Sequence, residues 1–108
     1  MTIQIPQPIS AYFQADQSDG VSVSQCFTDD ANVTDEGKTY SGRDAIRDWK
    51  AGSSKKYTYT VAPFAIAEAG GKIVVTANVV GNFPGRPVDL RYFFVLNGDK
   101  IASLEIKL

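Results

Sequence analysis

Residues 29–49 read DDANVTDEGKTYSGRDAIRDW and contain the change from helical to strand periodicity that decides the fold. From Ala31 onward the period is two, so Ala31, Val33 and Asp35 share one face of a predicted strand. Asp35 therefore occupies a position where the alternation predicts an apolar, inward-facing residue. Glu36-Gly37 predicts a turn, because glycine readily adopts positive φ. Asp35 could equally be the first residue of that turn, and the sequence leaves both interpretations open.

Helical periodicity flanks this stretch on both sides. The first helix, beginning near Pro8, has one face built from residues at i, i+3, i+4 and i+7, namely Ile9, Tyr12, Phe13 and Asp16. Asp19 predicts the cap of a second short helix. After the turn, Ser41 predicts the cap of a third helix, whose inner face carries Trp49 and which Gly52 is expected to end.

The second half of the chain consists of strand patterns separated by turns. Pro63 predicts an edge or a bulge, and Asn97-Gly98 is the strongest hairpin signal in the chain. Helices followed by long antiparallel strands predict an α+β fold, with three N-terminal helices on the concave face of a strongly bent, mainly antiparallel sheet. We expect residues 1–108 to form a single domain.

The predicted strand VDLRYFFVL, residues 88–96, is apolar on both faces. Both faces should therefore be covered, and three helices are too few to cover them. This pattern predicts a homodimer in which two sheets pack back to back through their convex faces.

Composition excludes several function classes. The 108 residues have a net charge of -1, which provides no basic surface for nucleic acid, and no apolar run approaches the ~20 residues of a membrane span. The chain has no histidine, which excludes Ser-His-Asp catalysis and imidazole-based zinc sites. The single cysteine and the absence of a secretion signal favour the cytoplasm. No cofactor or metal motif is present.

Two segments resemble the SnoaL-like branch of the NTF2-like superfamily: CFTDDANVTDEGKTYSGRDAIRDW, residues 26–49, and NGDKIASLEIKL, residues 97–108. The resemblance extends from Ile9 to Leu108 and implies a conical pocket enclosed by the bent sheet. The superfamily includes ketosteroid isomerases, polyketide cyclases, dehydratases and epoxide hydrolases, together with transport and scaffold proteins that do not catalyse a reaction. The fold alone therefore does not identify the activity.

The resemblance to ketosteroid isomerase implies roles for individual residues. Its general-base aspartate falls on Asp35, and its oxyanion-hole tyrosine falls on Tyr12. Its second oxyanion donor, a carboxylic acid, falls on Tyr92, so the chain departs from that family's pattern there. Further residues expected to line the pocket are Phe13, Asp16, Trp49 and Phe94. Asp16 could instead be solvated at its helix end, and Tyr57 and Tyr59 are expected in the core or on the dimer face, or lining the pocket.

The sequence thus predicts a domain that binds a small, largely apolar or carbonyl-containing molecule. The enzymatic hypothesis is proton transfer next to a carbonyl, of isomerase or cyclase type, with Asp35 as base and Tyr12 stabilising the enolate oxygen. The alternative is a non-catalytic ligand-binding or dimeric interaction domain with the same fold. A third hypothesis is a cone filled by its own side chains.

Overall fold

The computed structural model describes residues 5–16, 18–56, 59–81 and 88–107. The elements in chain order are α1 (Gln7–Asp16), α2 (Gly20–Ser24), β1 (Phe27–Asp35), β2 (Lys38–Ser41), α3 (Arg43–Lys56), β3 (Tyr59–Ala69), β4 (Lys72–Gly81), β5 (Val88–Asn97) and β6 (Lys100–Lys107). In these ranges, three helices pack on one face of a curved sheet, which confirms the predicted α+β class. None of these helices has the length and apolar character needed to cross a membrane.

The strands of the described ranges form one sheet of six, in the order β2-β1-β6-β5-β4-β3. β1 runs parallel to β6, and the other neighbouring pairs are antiparallel, so the prediction of a mainly antiparallel sheet is confirmed. The register between β3 and β4 shifts between Pro63 and Ala65, which confirms the bulge predicted at the proline. A second shift lies between Val95 and Leu96.

The hydrophobic core lies between the helices and the concave face of the sheet. Alternate residues of β5 face it, and Tyr92 and Phe94 are buried there against Ile9 and Tyr12 of α1. Burying a side chain the size of Phe94 contributes roughly 1.5–3 kcal/mol. This layer anchors α1 and thereby determines where its C-terminal residues meet the sheet.

A tight two-residue turn joins β1 to β2. Glu36 and Gly37 have φ values of 53° and 77°, and Asp35 pairs with Lys38 across the hairpin. Two central residues with positive φ form the turn that best matches the twist of a hairpin. Asp35 is therefore both the last residue of its strand and the first residue of its turn, and the two interpretations of the sequence are compatible.

The boundaries of α3 differ from the predicted ones. The prediction of Ser41 as its cap is wrong: the Ser41 hydroxyl donates to Asn32 Oδ1 at 2.8 Å, and Gly42, with φ 88°, precedes the helix. The prediction that Gly52 ends α3 is also wrong, because the helix continues to Lys56. An exposed glycine inside a helix costs only about 1 kcal/mol, which neighbouring turns can offset.

The short helix α2 lies very close to α3. Asp19 Oδ1 accepts a hydrogen bond from the backbone N–H of Ser22 at 2.7 Å, so the predicted cap of α2 is confirmed. Gly20 is buried, and a Cβ atom at its position would lie 2.6 Å from the carbonyl oxygen of Arg47. Glycine therefore permits the close approach of the two helices.

Candidate functional site

Asp35 lies at the concave side of the sheet, at the end of β1. It pairs in register with Ile106 of β6, and Val33, two residues earlier on the same face, is fully buried. Its carboxylate is half-buried, and Oδ2 accepts a hydrogen bond from Nε1 of Trp49 at 3.1 Å. The alternation in β1 and the inner stripe of α3 thus bring together two residues that the sequence predicted for the site.

The surroundings of Asp35 favour its protonated form. Burial raises the pKa of the Asp35 carboxyl above its ordinary value, and the hydrogen bond from Trp49 opposes this shift only in part. The positive charge of Lys50 also acts to lower the pKa of Asp35, more weakly than the hydrogen bond from Trp49 does. A carboxylate with a raised pKa is a stronger base at the pH where it is still ionised.

Four aromatic side chains form a continuous cluster beside these groups. Ring centroids of Phe13 and Tyr92 lie 5.2 Å apart, and those of Tyr12 and Phe94 lie 5.7 Å apart, both in edge-to-face geometry. Tyr92 and Phe94 stack with an interplanar angle of 12° and centroids 6.3 Å apart. These contacts join α1 to β5. The four rings belong to residues that the sequence predicted for the site, and the structure places them side by side.

Two phenols in this cluster are held in the neutral state. Burial raises the pKa of Tyr12 well above its usual range, and the negative charge of Asp16 adds to the effect. Burial likewise raises the pKa of Tyr92, again with a contribution from Asp16. Neutral phenols can donate a hydrogen bond to an oxygen that gains negative charge during a reaction.

Asp16 has a partner that the sequence patterns did not predict. Its carboxylate forms an ion pair with Nζ of Lys50, and the two side chains are only 5 % and 2 % exposed. Lys50 also donates a hydrogen bond to the hydroxyl of Tyr59, which in turn donates to Asp16 Oδ1 at 3.3 Å. We call these three residues, Asp16, Lys50 and Tyr59, the buried triad.

The buried triad draws on three elements. Asp16 is the last residue of α1, Lys50 lies in the middle of α3, and Tyr59 is the first residue of β3. Lys50 follows Ile46 by four residues and therefore lies on the same buried stripe of α3, which was the available signal in the sequence. Tyr59 faces the concave side, whereas Tyr57 lies outside the described residues.

The described part of the chain contains no group of three or more His, Cys, Asp or Glu side chains suited to hold a metal ion. The arrangement present is instead one of organic groups: two carboxylates, neutral phenols, an ammonium and apolar rings. Such a set can move protons and bind polar oxygen atoms.

Comparisons with known proteins agree with this architecture. The family model for the SnoaL-like domain matches residues 10–104. A putative polyketide cyclase from Sinorhizobium meliloti is 38 % identical, with a TM-score of 0.88 over 95 % of each chain. No curated protein matches the chain in sequence.

Two more distant structures share the fold. A protein with a ketosteroid isomerase-like fold from Catenulispora acidiphila, in complex with trimethylamine, is 21 % identical, with a TM-score of 0.85 over 97 % of this chain and 87 % of that one. TerC, co-crystallised with polyporic acid, is 17 % identical, with a TM-score of 0.77 over 94 % of this chain and 88 % of that one.

Proposed function

This chain belongs to the SnoaL-like domain family, and on that premise we propose that its concave face binds a small, largely apolar molecule that carries a carbonyl group. We further propose that Asp35 moves a proton next to that carbonyl. The observation that carries the proposal is the position of Asp35: a half-buried carboxylate with a raised pKa, on an apolar sheet face, held by Trp49.

The proposed step is an enolisation. Asp35 takes a proton from the carbon beside the carbonyl, the electron pair of the C–H bond forms a C=C bond, and the carbonyl π electrons move to oxygen. Tyr12 or Tyr92, both neutral, would donate a hydrogen bond to that oxygen. In an isomerase the substrate carries a neighbouring C=C bond, and Asp35 returns the proton to the far carbon of the resulting dienolate while the carbonyl re-forms. In a cyclase the enolate carbon attacks a second carbonyl, whose π electrons move to its oxygen, and that oxygen takes the proton from Asp35.

Similarity to the Sinorhizobium meliloti protein, a putative polyketide cyclase, supports a carbonyl-rich substrate, because poly-β-carbonyl chains have acidic C–H groups. The polyporic acid bound to TerC supports a flat, oxygen-bearing ring system as a ligand of this fold. The edge-to-face cluster of Tyr12, Phe13, Tyr92 and Phe94 would suit such a ring.

Trp49 offers a direct assay, because it is the only tryptophan in the chain. Titration of enolisable 1,3-diketones and flat aromatic ketones should change its fluorescence on binding. Exchange of the α-protons for deuterium, followed by NMR, measures the proposed proton transfer. Asp35→Asn should retain binding and slow exchange at least ~100-fold. The matched control is Asp30→Asn, an exposed acid on the opposite face of β1, which should exchange at the wild-type rate.

The second candidate function is ligand binding without catalysis. It is favoured by the complete burial of Phe94 and the near-complete burial of Tyr12, which core packing alone can explain. Saturable quenching of Trp49 with deuterium exchange equal in wild type and Asp35→Asn would establish this alternative. If no compound of the panel binds, the result would instead favour the third hypothesis, in which the protein's own side chains fill the cone.

We also propose that the protein is a homodimer that pairs through the convex sheet face, and that it resides in the cytoplasm. Val80, 45 % exposed, and the half-buried Val74, Phe93 and Val95 lie on that face. Val80→Asp should shift the mass measured by light scattering from dimer to monomer. The control is Val21→Asp, because Val21 is 52 % exposed but lies on α2. A monomeric wild type would contradict the proposal.

A further inference from the structure

The buried triad places a second carboxylate on the same side of the sheet as Asp35. Two carboxylates in one partly desolvated site would interact, and the like charge would favour protonation of one of them. Asp16 differs from Asp35 in its surroundings, because the ammonium group of Lys50 lies against it and both side chains are nearly inaccessible to solvent. The charges of this pair cancel, whereas the hydrogen bonds described for the Asp35 carboxyl come from uncharged groups, the indole of Trp49 and the backbone of Glu36.

We propose that Lys50 is a positioning residue for the reaction at Asp35: it neutralises Asp16, so that the site contains one uncompensated carboxylate instead of two. The inference rests on the proposed role of Asp35 as the base. It assigns different roles to the two acids, with Asp16 as the ion-pair partner of Lys50 and Asp35 as the group that gains and loses a proton. Tyr59 fixes the geometry by accepting from Lys50 and donating to Asp16.

The titratable groups around Tyr12, together with Lys50, define the electrostatic balance. α1 contributes Asp16 and Tyr12, β1 contributes Asp35, β3 contributes Tyr59 and β5 contributes Tyr92. Glu36 acts on Asp35 from the turn. The residues of β4 and β6 that face the helices are apolar. Lys50 is thus the cation among these groups, and its effect on Asp35 is attractive, which agrees with the direction in which it moves the Asp35 pKa.

A purely structural role makes a different prediction. If the buried triad only joined α1, α3 and β3, then removing either charged partner would loosen the site in the same way. If Lys50 sets the charge at Asp35, the two single variants act in opposite directions. Lys50→Met removes an attractive charge and should raise the pKa of Asp35. Asp16→Asn leaves the Lys50 charge unopposed and should lower it.

The test is a carbon-detected NMR titration of the aspartate side chains in the ligand-free protein, with Asp35 assigned from Asp35→Asn. Trp49 fluorescence against pH gives an independent readout, because its indole contacts the titrating carboxylate. The double variant Asp16→Asn/Lys50→Met removes both charges. The pKa of Asp35 in this variant should lie between its values in the two single variants. If one single variant folds poorly, the pKa of Asp35 in the double variant can still be compared with its value in the other single variant and in wild type.

Lys38→Met is the matched control, because Lys38 pairs with Asp35 across the hairpin but is exposed to solvent. Its removal should move the Asp35 pKa less than Lys50→Met does. Shifts of the same sign in Lys50→Met and Asp16→Asn, or no shift in either, would overturn the inference. The titration needs no ligand, so its result is separate from that of the exchange assay, which tests the proposed reaction itself.

Discussion

Replacing Lys50 by methionine should destabilise the protein far more than replacing an exposed lysine or arginine. Lys50 and Asp16 are 2 % and 5 % exposed, so removing the ammonium leaves a carboxylate buried without its counter-ion. Breaking a buried pair in this way costs roughly 3–5 kcal/mol. The free energy of unfolding of a domain of this size is about 5–15 kcal/mol, so the variant should still fold but with little stability in reserve.

Urea unfolding followed by Trp49 fluorescence measures this loss directly. In a thermal scan the melting temperature should fall by roughly 12–20 °C, at about 4 °C per kcal/mol. The control is Arg47→Met, which removes an ion pair with Asp44 whose side chains are 45 % and 94 % exposed, and which should cost about 0–1 kcal/mol.

The double variant Asp16→Asn/Lys50→Met completes the cycle. Because it leaves no unpaired charge in the core, it should lose less stability than the two single variants together. A Lys50→Met variant as stable as Arg47→Met would refute the reasoning, since the pair would then behave as though exposed to water.

Three further changes have predicted effects on stability. Burial raises the Asp35 pKa, so the folded state binds this proton more tightly than the unfolded chain, and stability should fall as pH rises from ~3.9 through the raised value. Asp35→Asn should lack that decline and be more stable than wild type at pH 7, as melting temperatures across pH will show. Gly20→Ala should lower the free energy of unfolding by roughly 1–3 kcal/mol, because the added Cβ meets the Arg47 carbonyl oxygen, and urea unfolding measures this loss. Glu36→Gly, at φ 53°, should stabilise the turn by up to about 1 kcal/mol; a lower urea midpoint would contradict this.

Much of the fold could be predicted because local sequence patterns determine it. The two-residue alternation in β1, the proline bulge in β3 and the Asn97-Gly98 turn each reflect a constraint within a few residues. The errors concern helix ends. Ser41 has capping chemistry, but it belongs to β2, where it pairs with Asn32, and Gly42 takes the position before α3. Gly52 is tolerated inside α3, which continues to Lys56.

The site was only partly predictable, for a physical reason. Asp35 and Trp49 each follow from the periodicity of their own element, and the sheet and helix bring them together. Lys50 could not be recognised in the same way, because a lysine on a helix stripe usually extends its ammonium to solvent. Its burial depends on Asp16 and Tyr59, which lie on other elements, and no local pattern reports that pairing.

The distribution of charge separates the two candidate functions better than the aromatic lining does. Rings such as Tyr12 and Phe94 can serve a ligand or a core equally well, so their presence does not distinguish an enzyme from a binding protein. An uncompensated carboxylate in a partly desolvated position lowers the stability of the folded protein, because its environment disfavours the ionised form. A binding protein for apolar molecules could avoid that cost with asparagine, which would still accept the hydrogen bond from Trp49. Among the described residues a lysine forms an ion pair with Asp16 and none forms one with Asp35, a difference that the proposed role of Asp35 as a base would explain.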